Sequence, residues 1–341
     1  MAPRYSREWL DYFIPDTVDW HPDGMPDTSR AVMKSLVLRS EKWPHGIPDA
    51  DLLHRAEGVI SYMRMQELAD DPIPGRFDLP HFQRIHHHLF QDVYPWAGQL
   101  RTAPRDWPMV KMGPDVAAVR AGGRRVTEIP HSYFKAREIP EASTRVLGRI
   151  AAKDNLRGLD RDTFLDELTK VWLRINFVHP FREGNTRTQF AFFRQLCTEA
   201  GYTLHTDRFI AVKKADLAHN PLLGDLREQF VWGRFEYMQT GDTRLMCEVL
   251  DIAITDPTDP IPVGPIIDHG VDLRATAAAT LGHPRPVRAR TPGTAAHPCR
   301  DRGPAPQAPH EPRPRPVIRI PLAARSGHET PTFRIPERDG I

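Results

Sequence analysis

Apolar residues recur at helical spacing through most of the chain, and strand-like alternation is scarce. Over 52–68, Leu52, Leu53, Ala56, Val59, Ile60, Met63 and Leu68 fall close to a 3.6-residue period, which places them on one face of a helix. Phe82, Ile85, Leu89 and Phe90 do the same over 81–90, and Phe164, Leu168, Val171, Trp172 and Ile175 over 159–177. Further helices are expected over about 185–200, over 212–237 with a break near Asn220 and Pro221, and over 246–254. The best strand candidate is 99–112, read as a short hairpin around Arg105, Asp106, Trp107 and Pro108. Residues 1–49 are punctuated by Pro and Trp. Trp9, Tyr12, Phe13 and Trp20 give them aromatic surface to pack on the rest, so they are expected to form an N-terminal arm or lobe ahead of a helical domain over 50–256.

At 257 the periodicity stops. Of 34 prolines, 17 lie between Pro257 and the end. Proline fixes φ and removes a backbone donor, and this stretch lacks the apolar residues that would offset ordering. Residues 257–341 are therefore expected to be a disordered Pro/Arg-rich tail. Charge divides along a similar line. From Gly282 onward there are 11 arginines, no lysine and 5 acids, which leaves 35 basic against 39 acidic residues for the rest. A mildly acidic body with a basic tail is not the profile of a globally basic nucleic-acid binder, so no direct nucleic-acid partner is expected.

The 341 residues, 40% of them hydrophobic, suffice for a full core. No apolar run approaches the roughly 18 residues of a membrane span, and residues 1–13 show no apolar segment of the secretory kind. No membrane partner and a cytoplasmic location are expected. Cys197, Cys247 and Cys299 lie about fifty residues apart with no CxxC pair, which argues for reduced thiols over a disulfide framework or structural zinc.

The candidate chemistry sits just after the helix over 159–177. His179–Pro180–Phe181–Arg182–Glu183–Gly184–Asn185–Thr186–Arg187 is a polar loop that runs into a new helix. A helix N-terminus presents unpaired N–H groups and positive potential, which suit a phosphate. Gly184 lets backbone approach closely, Asn185 can bond the loop to itself, and Arg187 can bind phosphate oxygens bidentately. Glu183 supplies one carboxylate, which suits Mg²⁺ shared with substrate phosphates and water. His179 titrates near neutrality and can take a proton from an attacking hydroxyl. A base, a metal carboxylate, an anion cradle and a charge clamp are what hydroxyl attack on a nucleotide phosphate requires.

This loop resembles the signature of the Fic family, HPFx(D/E)GN(G/K)RxxR. FDLPHFQRIHHHLFQDVYPWAGQLRT, residues 77–102, is similar to the family's N-terminal core segment, and 133–176 to the helices before the loop. The resemblance covers about 50–205, more weakly to 254. It implies a Fic-fold helical bundle with a β-hairpin flap near 103–112 that holds the target by strand addition. It also implies a protein adenylyltransferase that moves AMP from ATP to a Ser, Thr or Tyr hydroxyl of a target protein, with Mg²⁺, releasing pyrophosphate. His179 would be the base, Glu183 the metal carboxylate, Gly184, Asn185 and Thr186 the anion hole, and Arg187 the phosphate clamp. Phe181 would anchor the loop in the core.

Two positions depart from the signature. Thr186 stands where Gly or Lys is usual; its hydroxyl can cap the new helix or donate to phosphate. The second arginine falls on Phe190, which shares a face with Phe193 and Cys197 and reads as core. Transfer of another group, UMP or phosphate, and a catalytically weak Fic-fold binding module are the alternatives these departures raise. The family's inhibitory pattern, Ser/Thr-xxx-Glu-Gly/Asn, is not met at Glu57–Gly58, which Leu53 precedes, so autoinhibition within the chain is not expected. A small antitoxin protein is a partner the resemblance leaves open. His86, His87 and His88 cannot converge on one ion from consecutive helical positions and are read as surface or capping residues. Trp96 is read as core, and Trp107 as lying at the hairpin tip.

Overall fold

The structure, a computed structural model, describes residues 7–122, 126–209 and 226–256. Its first element, α1 (Arg7–Leu10), is followed by a small antiparallel pair, β1 (Asp19–Trp20) and β2 (Pro26–Asp27). The long α2 (Ala50–Asp70) and α3 (Leu79–Phe90) come next. Then a hairpin forms from β3 (Val110–Pro114) and β4 (Glu128–Ser132), with α4 (Val116–Arg120) in its connection. α5 (Ile139–Ala151), α6 (Arg161–Val178) and α7 (Asn185–Glu199) follow, then β5 (Thr203–Leu204). The described part closes with α8 (Leu226–Thr240), α9 (Arg244–Ala253) and β6 (Ile254–Thr255), which pairs with β5. The fold is mostly α, a helical bundle with a β-hairpin flap.

Local sequence explains the helix starts. Asp49, Asp78 and Asp160 each precede a helix, and their carboxylates accept the N–H of Leu52, His81 and Thr163 respectively. Such caps satisfy donors that have no partner inside the helix, at about 1 kcal/mol each. α2 packs on α3, α5 and α9 on α6, α8 on α9, and α7 against α2 and α3. The core between them holds Phe82, Leu89, Phe164, Trp172, Phe181, Phe190, Phe193 and Leu196, all at most 1% exposed. Phe13, Ile14, Val32 and Met33 from the N-terminal segment are buried in that same core. A separate cluster of Val116, Trp232, Phe235 and Leu245 joins the flap connection to α8 and α9. Among the described residues no helix is long and apolar enough to cross a membrane.

Two expectations change. The segment 99–112 does not fold back on itself; only its end enters β3, whose partner β4 lies beyond α4, with Val110 opposite Ser132. Pairing needs two strands in register, and the second strand is a largely polar stretch with no alternating apolar signal in the sequence. His86 is fully buried and is no surface residue. Cys197 is buried, with a free thiol. The readings over 212–225 and over the tail, 257–341, lie outside the described residues.

Candidate active site

α6 ends at Val178, and His179 takes the left-handed conformation, φ 53° and ψ 64°, as its C-cap. α7 starts at Asn185, after Gly184 at φ 74°. The chain thus passes from α6 to α7 through two left-handed residues, with His179 at one end of the loop and the N-terminus of α7 at the other. Gly184 is required here for two reasons. Its φ is one that side-chain-bearing residues rarely adopt, and a Cβ would sit 2.2 Å from the Phe90 ring. The first bond inside α7 runs from the Thr188 N–H to the Gly184 carbonyl at 3.0 Å. The N–H groups of Asn185, Thr186 and Arg187 therefore lie at the helix end, which carries positive potential and suits an anion.

Asn185 ties the loop to itself. Its Oδ1 accepts the Phe181 N–H and its Nδ2 donates to the Phe181 carbonyl, both at 2.9 Å. Phe181 is fully buried and stacks on His86 with ring centres 3.8 Å apart. His86 also holds the loop's backbone. The Gly98 N–H donates to its Nδ1 at 2.7 Å, so the ring proton sits on Nε2, which donates to the Glu183 carbonyl at 3.1 Å. Burial pushes the His86 imidazole down to about 3, so it stays neutral.

Arg101 is the second clamp. Its backbone N–H donates to the Pro180 carbonyl and its Nε to the His179 carbonyl, both at 2.9 Å, and its Nη2 donates to the Phe134 carbonyl. One buried guanidinium thus joins the loop to the strand leaving the flap. Burial and then the charge of Arg182 push it down to about 10. From the same strand end, Tyr133 stacks on the His179 imidazole at 4.2 Å. His179 is 8% exposed. Glu183 is half-buried beside the helix end, and its Oε1 accepts the Gly184 N–H at 3.1 Å.

Arg187 is placed otherwise than expected. Its guanidinium points into the protein, 5% exposed, in an ion pair with Glu57 and a 2.8 Å bond to the Ser61 hydroxyl, over the face of Phe90. Tyr94 donates to the other oxygen of Glu57. Burial is the largest single influence on Arg187 and opposes its charge, but Glu57 and Glu183 outweigh it and hold the guanidinium protonated. Leu53 breaks the inhibitory pattern at Glu57, and no local signal in the sequence announces a partner on a distant helix. Phe190 is core, as read, packed against Trp172, Phe209 and Phe230. A further residue escaped sequence reasoning: Arg234 of α8, whose Nη1 donates to the Thr186 hydroxyl at 2.9 Å. His87 and His88 bond the Ala97 carbonyl and Glu67, away from the loop.

Glu183, Gly184, Asn185 and Thr186 thus stand at one helix end and His179 at the head of the same loop, whose backbone His86 and Arg101 hold, while Arg187 points inward. The comparisons point the same way. The model of the Fic/DOC family matches residues 76–197. The chain is 36% identical over 186 residues to protein adenylyltransferase VbhT of Bartonella schoenbuchensis, covering 54% of this chain but only 33% of VbhT, so it spans a third of that relative's length. It is 31% identical over 182 residues to the probable protein adenylyltransferase y4lH of Sinorhizobium fredii, covering 53% of this chain and 82% of y4lH. The N-terminal Fic domain of an effector protein from a Bartonella species superimposes with a TM-score of 0.51 at 21% identity, over 74% of this chain and 94% of that one, a likeness of fold. With the signature loop built at a helix end, the matched core segment clamped behind it and most of y4lH covered, the chain belongs to the Fic/DOC family.

Proposed function

We propose that the protein is a protein adenylyltransferase that moves AMP from ATP to a hydroxyl side chain of a target protein. The observation that carries the reading is that one short loop joins His179, at the end of α6, to the N-terminus of α7, so that an imidazole able to accept a proton and a helix end suited to an anion belong to the same loop. The target's hydroxyl oxygen attacks the α-phosphorus, its proton passes to the His179 imidazole, and the bond to the β-phosphate bridge oxygen breaks to release pyrophosphate. The N–H groups at the start of α7 receive charge on the phosphate oxygens. Arg187 acts as fixed positive charge behind that helix end, since Glu57 and Ser61 hold it inside. Relatives named as protein adenylyltransferases support the same chemistry.

The donor set fits Mg²⁺ as a shared ion. Glu183 offers one carboxylate beside the helix end, and no cluster of three or more His, Cys, Asp or Glu that could hold a metal occurs among the described residues. An ion there would take its other ligands from phosphates and water, as Mg²⁺ commonly does, and would offset phosphate charge. The flap supplies a surface for the target: among the described residues β3 pairs with β4 alone, and Val110 and Met112 of β3 are exposed.

The test is intact-mass analysis of a lysate incubated with Mg²⁺ and ATP, with a His179→Ala control. An added mass of about 329 Da on a target is expected for AMP. His179→Ala is expected to lower the rate by about 10²–10⁴-fold. Wild-type protein that binds ATP normally but labels neither itself nor any lysate protein would exclude the reading. Phe190 and Thr186 favour a second reading, transfer of a different phosphate-linked group; roughly 306 Da for UMP or about 80 Da for phosphate would identify it. A binding-only module would leave a cellular phenotype unchanged in His179→Ala.

A further inference from the structure

α2 turns polar residues inward and large apolar ones outward. Glu57 and Ser61 are buried against Arg187, whereas Val59 is 62% exposed, Met63 60% and Tyr62 39%. These three stand at i, i+3 and i+4, on one face of the helix. Arg55, Gln66 and Asp70 are exposed too, and they continue that face at helical spacing toward either end. Apolar side chains exposed singly are ordinary. A contiguous group of large ones, rimmed by polar residues, marks an interaction surface.

The charges on this face say what it fits. Arg55 and Asp70 form no ion pair among the described residues. Asp70 is the last residue of α2, where the helix dipole is negative and a carboxylate is disfavoured unless a cation faces it. The two lie about 22 Å apart along the axis, and their midpoint falls between Tyr62 and Met63, inside the exposed apolar group. A second α2 laid antiparallel across that midpoint brings Arg55 of each copy to Asp70 of the other. It sets Val59 opposite Gln66 and puts Tyr62 and Met63 at the twofold axis. A parallel copy would set like charge against like. One charge of each sign also suits this face itself better than it suits the arginine-rich sequence after Gly282.

We infer that the outer face of α2 is a self-association surface, on which two copies of the chain pair through antiparallel α2 helices. The inner face of the same helix holds Arg187 through Glu57 and Ser61, so the pairing braces from outside the helix that anchors the site's buried arginine. A single helix pair buries less than the roughly 800 Å² per partner of a standard interface, so a dissociation constant in the micromolar range is expected. The inference depends on neither nucleotide binding nor transfer.

The experiment is sedimentation equilibrium of the full chain from about 1 to 200 µM, with four variants whose substitutions all lie on the exposed face. Wild-type protein is expected to pass from monomer to dimer across this range. Val59→Glu with Met63→Glu should weaken the dimer at least about thirtyfold. Arg55→Glu alone and Asp70→Arg alone each set like charges together and should weaken it about three- to tenfold. Arg55→Glu with Asp70→Arg exchanges the charges and should return the constant to within about threefold of wild type. That rescue fixes both the direction and the register, and it is decisive even if the double glutamate variant does not fold. A wild-type chain that stays monomeric at 200 µM would overturn the inference. If limited proteolysis then cleaves after Gly282 faster in Val59→Glu with Met63→Glu than in wild type, the face holds the chain's own tail instead. A dimer that survives all four variants, or single reversals that the exchange does not rescue, would also overturn it, because the copies then meet elsewhere or in another register.

Discussion

His86 shows how one side chain can hold a loop by staying neutral. The Gly98 N–H needs an acceptor at Nδ1 and the Glu183 carbonyl needs a donor at Nε2, so only one tautomer serves both. Protonation would set an N–H against an N–H. The unfolded imidazole titrates near 6.5 and the folded one at about 3. Between those values the unfolded chain binds the extra proton, so stability is present above about pH 6.5 and falls as the pH drops, by about 1.4 kcal/mol per pH unit for one group. Glutamine carries an acceptor and a donor but does not titrate. In urea unfolding between about pH 6 and 4, His86→Gln is expected to show a slope shallower by about that amount; equal slopes would rule out the assigned role. Gly184→Ala is a second test at this scale. The Cβ meets the Phe90 ring and the φ of 74° is strained, so a loss of about 2 kcal/mol or more is expected in the same assay.

At the scale of elements, α2 and α7 are joined by a polar cluster where two apolar stripes would suffice. Arg187, Glu57, Ser61 and Tyr94 meet there, and all are buried. Breaking such a pair leaves a buried charge without its counter-charge. Glu57→Ala is therefore expected to cost about 3–5 kcal/mol in denaturant unfolding, and Glu57→Leu with Arg187→Met to regain most of it. If the single substitution costs under about 1 kcal/mol, the pair is not formed in solution. This cluster also marks the limit of what the sequence could reveal. The long helices were legible because large apolar residues repeat at one spacing, as in α6 with Phe164, Leu168, Val171, Trp172 and Ile175. α5 was visible only through the family resemblance, since Ala142 and Ser143 fill part of its buried stripe and dilute the apolar count. The loop was legible because its residues are contiguous. Glu57, Arg101, Tyr133 and Arg234 were not, because each reaches the loop from another element and nothing beside it in sequence records the contact.

On the scale of the whole molecule, the N-terminal segment is part of the site's support. Trp9, Tyr12 and Phe13 surround the Arg182 guanidinium, which lies 4.4, 5.5 and 5.0 Å from their ring centres. The Tyr12 hydroxyl also bonds the Thr102 hydroxyl at 3.3 Å, next to Arg101, which holds the carbonyls of His179 and Pro180. Arg182 neighbours the carboxylate and the base in sequence, so the aromatic box fixes the loop from outside while His86 and Phe181 fix it from within. Each such cation–π contact is worth about 0.5–1 kcal/mol when partly exposed. Removing Trp9 and Tyr12 together, with Phe13 kept for the core, should loosen the loop by about 1–2 kcal/mol. That corresponds to roughly tenfold faster amide exchange at Arg101, Phe181 and Gly184, whose N–H groups are bonded within or onto the loop. Amides in the middle of α6 should be unaffected if the effect is local. Exchange that rises equally in α6 would mean that the segment contributes only general stability, and unchanged exchange at all three loop amides would show that the loop holds its shape without the box.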